Sequence, residues 1–95
     1  MDYDEPRSES RGMVEDGEFV LTHAIWRNSL GSQQPETGVR RNGQWLGLVE
    51  HGWRDFDAAT PVILRLLRKG RSPDRIGMFM EKLTERRWRQ RRRSQ

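Results

Sequence analysis

Apolar residues come in clusters along this chain, separated by polar stretches that carry glycine or proline. In residues 18–30, EFVLTHAIWRNSL, the pairs Val20/Ala24, Leu21/Ile25 and Trp26/Leu30 stand at the i,i+4 spacing of one helical face, and Gly31 follows as a C-terminal stop. The run FVLTHAIW is also rich in β-branched and aromatic residues, which makes a strand the competing form. The length of the stretch favours the helix. After a polar loop at 31–43, Trp45, Leu48, Val49, Trp53 and Phe56 are spaced 3, 1, 4 and 3 apart, again one helical face. Asn42-Gly43 offers an alternative here, a type I′ hairpin joining TGVRR to QWLGL.

The last two clusters carry start and stop signals. Thr60 and Pro61 read as N-cap and first position of a short helix through Val62, Ile63, Leu64, Leu66 and Leu67, with Arg68 and Lys69 at its C-terminal end and Gly70 beyond. Ser72, Pro73 and Asp74 open another, whose apolar face is Ile76, Phe79, Met80 and Leu83. Beyond Leu83 only Trp88 continues a line, at i,i+4 steps from Met80 and Thr84. The spacing predicts a helix from 73 to about 92, on the order of 30 Å long, docked by its first half and projecting with its second. The expected fold is therefore all-α: a small bundle of three to four short helices over residues 18–83. A disordered acidic arm at 1–17 precedes it, and a basic helical extension at 84–95 follows. The alternative is α+β, with a hairpin around Asn42-Gly43.

Charge sharpens this division. Residues 1–18 hold seven acids against Arg7 and Arg11, whereas residues 65–95 hold twelve bases against Asp74, Glu81 and Glu85. Such asymmetry points to a polyanionic partner for the C-terminal end. Sixteen of the eighteen bases are arginine, whose planar fork suits phosphate and base stacking better than lysine does. The absence of cysteine rules out disulfide scaffolds, thiolate metal sites and cysteine nucleophiles. His23 and His51 do not form a zinc pair by spacing, so no metal, cofactor or small-molecule substrate is expected. His23, set in an apolar stretch, reads as a hydrogen-bonded structural residue. No apolar run reaches membrane-span length, and the acidic N-terminus has the wrong sign for a signal or transit peptide. The expected location is cytoplasmic or, in a eukaryotic cell, nuclear.

No nucleophile elbow, phosphate-binding glycine loop or paired-histidine motif occurs, and beyond the acidic N-terminal stretch the acidic or acid–base clusters are Asp55/Asp57 and Glu50/His51. A catalytic site is not expected. The strongest candidate chemistry is TERRWRQRRRSQ, in which Arg86, Arg87, Arg89, Arg91, Arg92 and Arg93 surround Trp88. A helix cationic on all faces suits a groove between phosphates, and the indole can stack on an unpaired base. Arg71 and Arg75 extend this candidate set, with Arg65, Arg68 and Lys69 in support.

The stretch RRWRQRRRSQ resembles the arginine-rich motifs of the lentiviral Tat- and Rev-type regulators, a likeness of composition over about a tenth of the chain. The resemblance implies binding to structured RNA and nuclear import; those proteins' cysteine cluster and leucine-rich export signal have no counterpart here. QWLGLVEHGWRDF is similar to the second homology box of Bcl-2-type regulators at Trp45, Glu50, Gly52, Trp53, Asp55 and Phe56. It lacks that family's other boxes, and the chain is too short for that fold.

The function expected from these features is that of a small non-enzymatic regulatory or accessory protein of viral or phage type. It would bind nucleic acid, RNA rather than DNA, through the arginine-rich helix. The rival is a protein-interaction module using Trp26, Trp45, Trp53 and Phe56 against a host partner, with the basic tail as a nuclear signal or as a contact for an acidic protein surface. A third reading is a homo-oligomer in which a second copy completes a thin core.

Overall fold

The computed structural model describes residues 7–27, 30–50 and 53–93, and within these the side chains from Glu9 to Thr84. The first six residues of the expected arm lie outside the described residues, as do His51 and Gly52. Strands β1 (Arg7–Asp16), β2 (Phe19–Arg27), β3 (Gln33–Arg41) and β4 (Gln44–Glu50) are followed by helices α1 (Phe56–Arg68) and α2 (Pro73–Arg93). The strands form one antiparallel meander in the order β1-β2-β3-β4. The protein is α+β, and the all-α bundle is overturned.

The correction has local causes. Residues 19–27 form a strand because Phe19, Leu21 and His23 are buried at period two while Thr22 faces water. An i,i+4 pair occupies one face of a strand as well as one face of a helix, so Leu21/Ile25 and Val20/Ala24 do not separate the two forms. In β4, the ladder to β3 pairs Arg40 with Trp45 and then Val39 with Gly47, leaving Leu46 as an extra residue. This bulge puts Trp45 and Leu48 on one sheet face at a spacing of three, which imitates a helix. With β4 extended, the helix implied by the Bcl-2-box likeness does not form there. The expected disordered arm is corrected as well: from Arg7 it is the edge strand β1, paired with β2 through Asp16↔Phe19. A register shift between Ser10 and Gly12 and the charges of Glu9, Arg11 and Glu15 make this edge a poor template for further pairing.

Asn42 (φ 51°) and Gly43 (φ 83°) close the β3–β4 hairpin in the left-handed conformations a type I′ turn requires. Both helices lie on one side of the sheet. The core joins Phe19, Leu21, Val39 and Val49 of the sheet to Ala59, Ile63, Leu64 and Leu67 of α1 and to Ile76 and Met80 of α2. Helix α1 starts earlier than Thr60-Pro61 suggests. Asp55 is its N-cap and accepts from the Ala58 N–H at 3.1 Å, so Pro61 sits inside the helix. Helix α2 comes unusually close to β4: a Cβ added at Gly77 would stand 2.5 Å from the Glu50 carbonyl oxygen. Only glycine allows that contact.

Candidate nucleic-acid interface

The α1–α2 connection positions two cations of the basic end, Arg71 and Arg75. Helix α1 ends with the Gly70 N–H donating to the Leu67 carbonyl at 2.9 Å and the Arg71 N–H donating to the Leu66 carbonyl at 3.0 Å, the Schellman pattern. This ties Arg71 to the end of α1 beside Leu66. Ser72 then caps α2: its carbonyl accepts from the Ile76 N–H at 3.0 Å and its hydroxyl from the Arg75 N–H at 3.4 Å. Four residues therefore bring the chain from one helix into the next with Arg71 and Arg75 on adjoining sides of the turn.

Between the helices lies an open groove of about 610 Å³, lined by Leu66, Arg71, Arg75, Ile76, Met78, Phe79 and Lys82. Ile76 is fully buried at its base, whereas Met78 is 58% and Phe79 40% exposed. Arg71, Arg75 and Lys82 are exposed on its walls. The ion pairs among the described residues are Arg11–Glu9, Arg41–Glu18 and Arg68–Asp16, and none of the three groove cations takes part in them. The groove thus offers three uncommitted cations around an aromatic ring and a thioether, a surface suited to a polyanion with apolar, stackable parts.

The groove also begins a line along α2. Positions 75, 79, 82, 86, 89 and 93 follow one another at steps of four and three, which keeps them on one side of a helix. Arg86, Arg87, Trp88, Arg89, Arg91, Arg92 and Arg93 all belong to the helical span, but their side chains lie outside the described residues. Of the supporting bases, Arg65 and Lys69 are exposed, and Arg68 is bound to the Asp16 carboxylate at the end of β1. The sequence marked Arg71 and Arg75 but not Lys82, and it placed Phe79 in the core.

The tryptophan surface of the rival reading is dispersed. Trp45 is 54% exposed and Trp26 is half-buried, both on the sheet face away from the helices, but at opposite ends of it: Trp45 pairs with Arg40 and Trp26 with Gln34. Trp53 packs against the core and donates its indole N–H to the Met80 carbonyl at 3.3 Å. Phe56, half-buried, stacks on His23 with ring centroids 4.5 Å apart.

His23 joins three elements. Its Nδ1 lies 2.8 Å from the Thr37 hydroxyl on β3, and its Nε2 lies 2.9 Å from the Thr60 hydroxyl on α1. The Thr60 hydroxyl donates to the Phe56 carbonyl at 2.8 Å, so it accepts from His23 Nε2–H, and Nδ1 accepts from Thr37. Burial pushes the His23 pKa below its ordinary value, with Asp57 opposing the shift. The ring is held neutral, and both its nitrogens are engaged in structure. Among the described residues no group of three or more histidine, aspartate or glutamate side chains is placed to hold a metal, and no helix is long and apolar enough to cross a membrane.

The chain matches no family model, no curated protein and no solved structure. Kinship therefore supports neither a viral or phage origin nor an activity, and the functional reading rests on geometry and charge.

Proposed function

We propose that this protein is a nucleic-acid-binding protein that takes its ligand along α2, from the Arg71/Arg75/Lys82 groove outward over the arginine-rich segment Arg86–Arg93. The observation that carries the reading is the groove itself. Three exposed cations outside every described ion pair surround an exposed phenylalanine at the root of a helix that continues through six further arginines. Twenty-one helical residues extend about 30 Å, enough to follow several phosphates along one groove. RNA is favoured over duplex DNA because Phe79 supplies a stacking surface for an unpaired base, which RNA loops and bulges present.

The test is a truncation lacking residues 86–95, titrated against a structured RNA and a DNA duplex at several salt concentrations. Six arginine–phosphate contacts correspond to a slope of log affinity on log salt of about −4 to −5. The truncation should lose most of that slope together with affinity. Unchanged affinity and slope would overturn the proposal, and equal loss on both ligands would overturn the preference for RNA.

A further inference from the structure

The helices cover one side of the sheet, and the other side is open. Phe19, Leu21, Val39 and Val49 face the helices, so Val20, Gly38, Arg40, Leu48 and Glu50 face away. From the Arg40 end of the open side, Trp45 directs the edge of its indole at Gly38: a Cβ there would stand 2.9 Å from the ring. The Arg40 guanidinium covers the same ring, 5.4 Å from its centroid. Trp45 is still 54% exposed, and Met13, whose partner Thr22 shares this side, is 62% exposed. Large apolar groups grouped on one uncovered face mark a surface for a partner.

The charges on this face identify the partner. Along β3 and β4, Arg40 stands at one end, and Glu36 and Glu50, directly paired, stand at the other; Glu15 of the edge strand β1 shares the face at the Arg40 end, across β2. None of these four charges takes part in an ion pair among the described residues. Two carboxylates placed opposite one another on neighbouring strands repel. Burial, and then the Glu50 charge, hold the half-buried Glu36 carboxyl above its usual range. The acidic end disfavours a nucleic acid. On β3, however, Arg40 and Glu36 lie equal steps to either side of Gly38, about 7 Å along the strand in each direction. A two-fold axis lying over Gly38, in the plane between two stacked sheets and perpendicular to the strands, exchanges these positions. The face is therefore complementary to itself.

We propose that the open sheet face packs against the same face of a second copy of this chain, with Arg40 of each copy set between Glu36 and Glu50 of the other. Trp45 and Leu48 form the apolar centre of that contact, and the cationic α2 helices point outward on both sides. The contact is isologous, so one change removes two ion-pair clusters at once.

The test is sedimentation of the full chain, freed of nucleic acid by nuclease, up to about 1 mM. The wild type should double in mass. Arg40→Glu alone, and Glu36→Arg with Glu50→Arg, should each self-associate at least about a hundredfold more weakly, because like charges then face one another. An equimolar mixture of the two variants should regain the dimer, since each supplies the charge the other lacks. Recovery on mixing also shows that both variants are folded. Trp45→Ala provides a second, uncharged route to a weaker dimer. A wild type that stays monomeric overturns the proposal, as do variants that dimerise like the wild type or variants whose mixture stays monomeric.

Discussion

Replacing Arg71, Arg75 and Lys82 together by glutamine separates the groove from the arginine-rich segment as a source of affinity. All three are exposed and outside the described ion pairs, so the folded state should lose no more than about 0.5 kcal/mol. If each contacts one phosphate of a single-stranded region, the three contribute about 2 to the magnitude of the log–log salt slope, at about 0.7 per contact. Between about 50 and 200 mM salt, the wild type should then lose roughly twentyfold more affinity than the triple variant does. Fluorescence anisotropy with a labelled RNA hairpin, repeated across that salt range, reads both quantities. Phe79→Ala serves as the contrasting change. A ring that stacks on a base adds about 1–3 kcal/mol without displacing counterions, so its loss should lower affinity equally at every salt concentration. A triple variant that keeps the wild-type slope would refute the groove as a phosphate site. A Phe79→Ala protein that binds like the wild type would refute the stacking role.

Two further predictions concern the frame that holds the groove. Gly77→Ala places a methyl group 2.5 Å from the Glu50 carbonyl oxygen, a backbone atom that cannot swing aside, so α2 must shift off β4. The expected cost is about 1–3 kcal/mol, in line with overpacking elsewhere. In a domain of this size each kilocalorie lowers the melting temperature by about 4–8 °C, and an unchanged midpoint in a thermal scan would contradict the close approach. His23 sets a pH dependence. Its folded pKa lies below the unfolded value, so the unfolded chain binds the proton more readily and stability rises with pH across the interval between them. The stabilisation is fully present above the unfolded pKa of about 6.5 and is lost as pH falls toward the folded value. Urea midpoints measured from about pH 7.5 down to 5 should fall in the wild type and fall less steeply in His23→Phe. Equal slopes would contradict a buried neutral imidazole.

The two helices were legible because helical period, caps and stop signals coincide within short stretches. Asp55 displaced Thr60 as the cap of α1 because Phe56 and Ala59, which precede the Thr-Pro pair, also have burial to gain. The sheet was not legible, for a reason that lies in the numbers themselves. A spacing of four is common to both periods, and a single bulge at Leu46 converts a strand spacing into three. In this chain strand identity comes from partners: β2 is flanked on both sides, and each of its buried positions meets another strand and a helix. That information is non-local, and a periodicity count contains none of it. The local signals for the sheet were the β-branched and aromatic run FVLTHAIW, which length outweighed, and Asn42-Gly43, where the turn chemistry demands left-handed backbone whatever the neighbours do.

The groove was half legible, and the missing half had a usable sign. Met78, Phe79 and Met80 are consecutive, and a helix turning about 100° per residue cannot direct three successive side chains at one neighbour. Ile76 and Met80 fill the face against the sheet and α1 and are fully buried, so Met78 and Phe79 are left over. The apolar residues that a helix cannot bury therefore mark an exposed apolar strip in the sequence itself. The charges that flank the strip then decide its meaning. Beside acids it would suit a basic partner; here Arg75 and Lys82 stand four before and three after Phe79, and Arg71 closes the end. An uncovered aromatic between cations, on the line that runs into Arg86, Arg89 and Arg93, makes the helix more than a charged projection. In the proposed complex it is the fixed inner anchor on which a bound base would rest while the phosphates follow the helix outward.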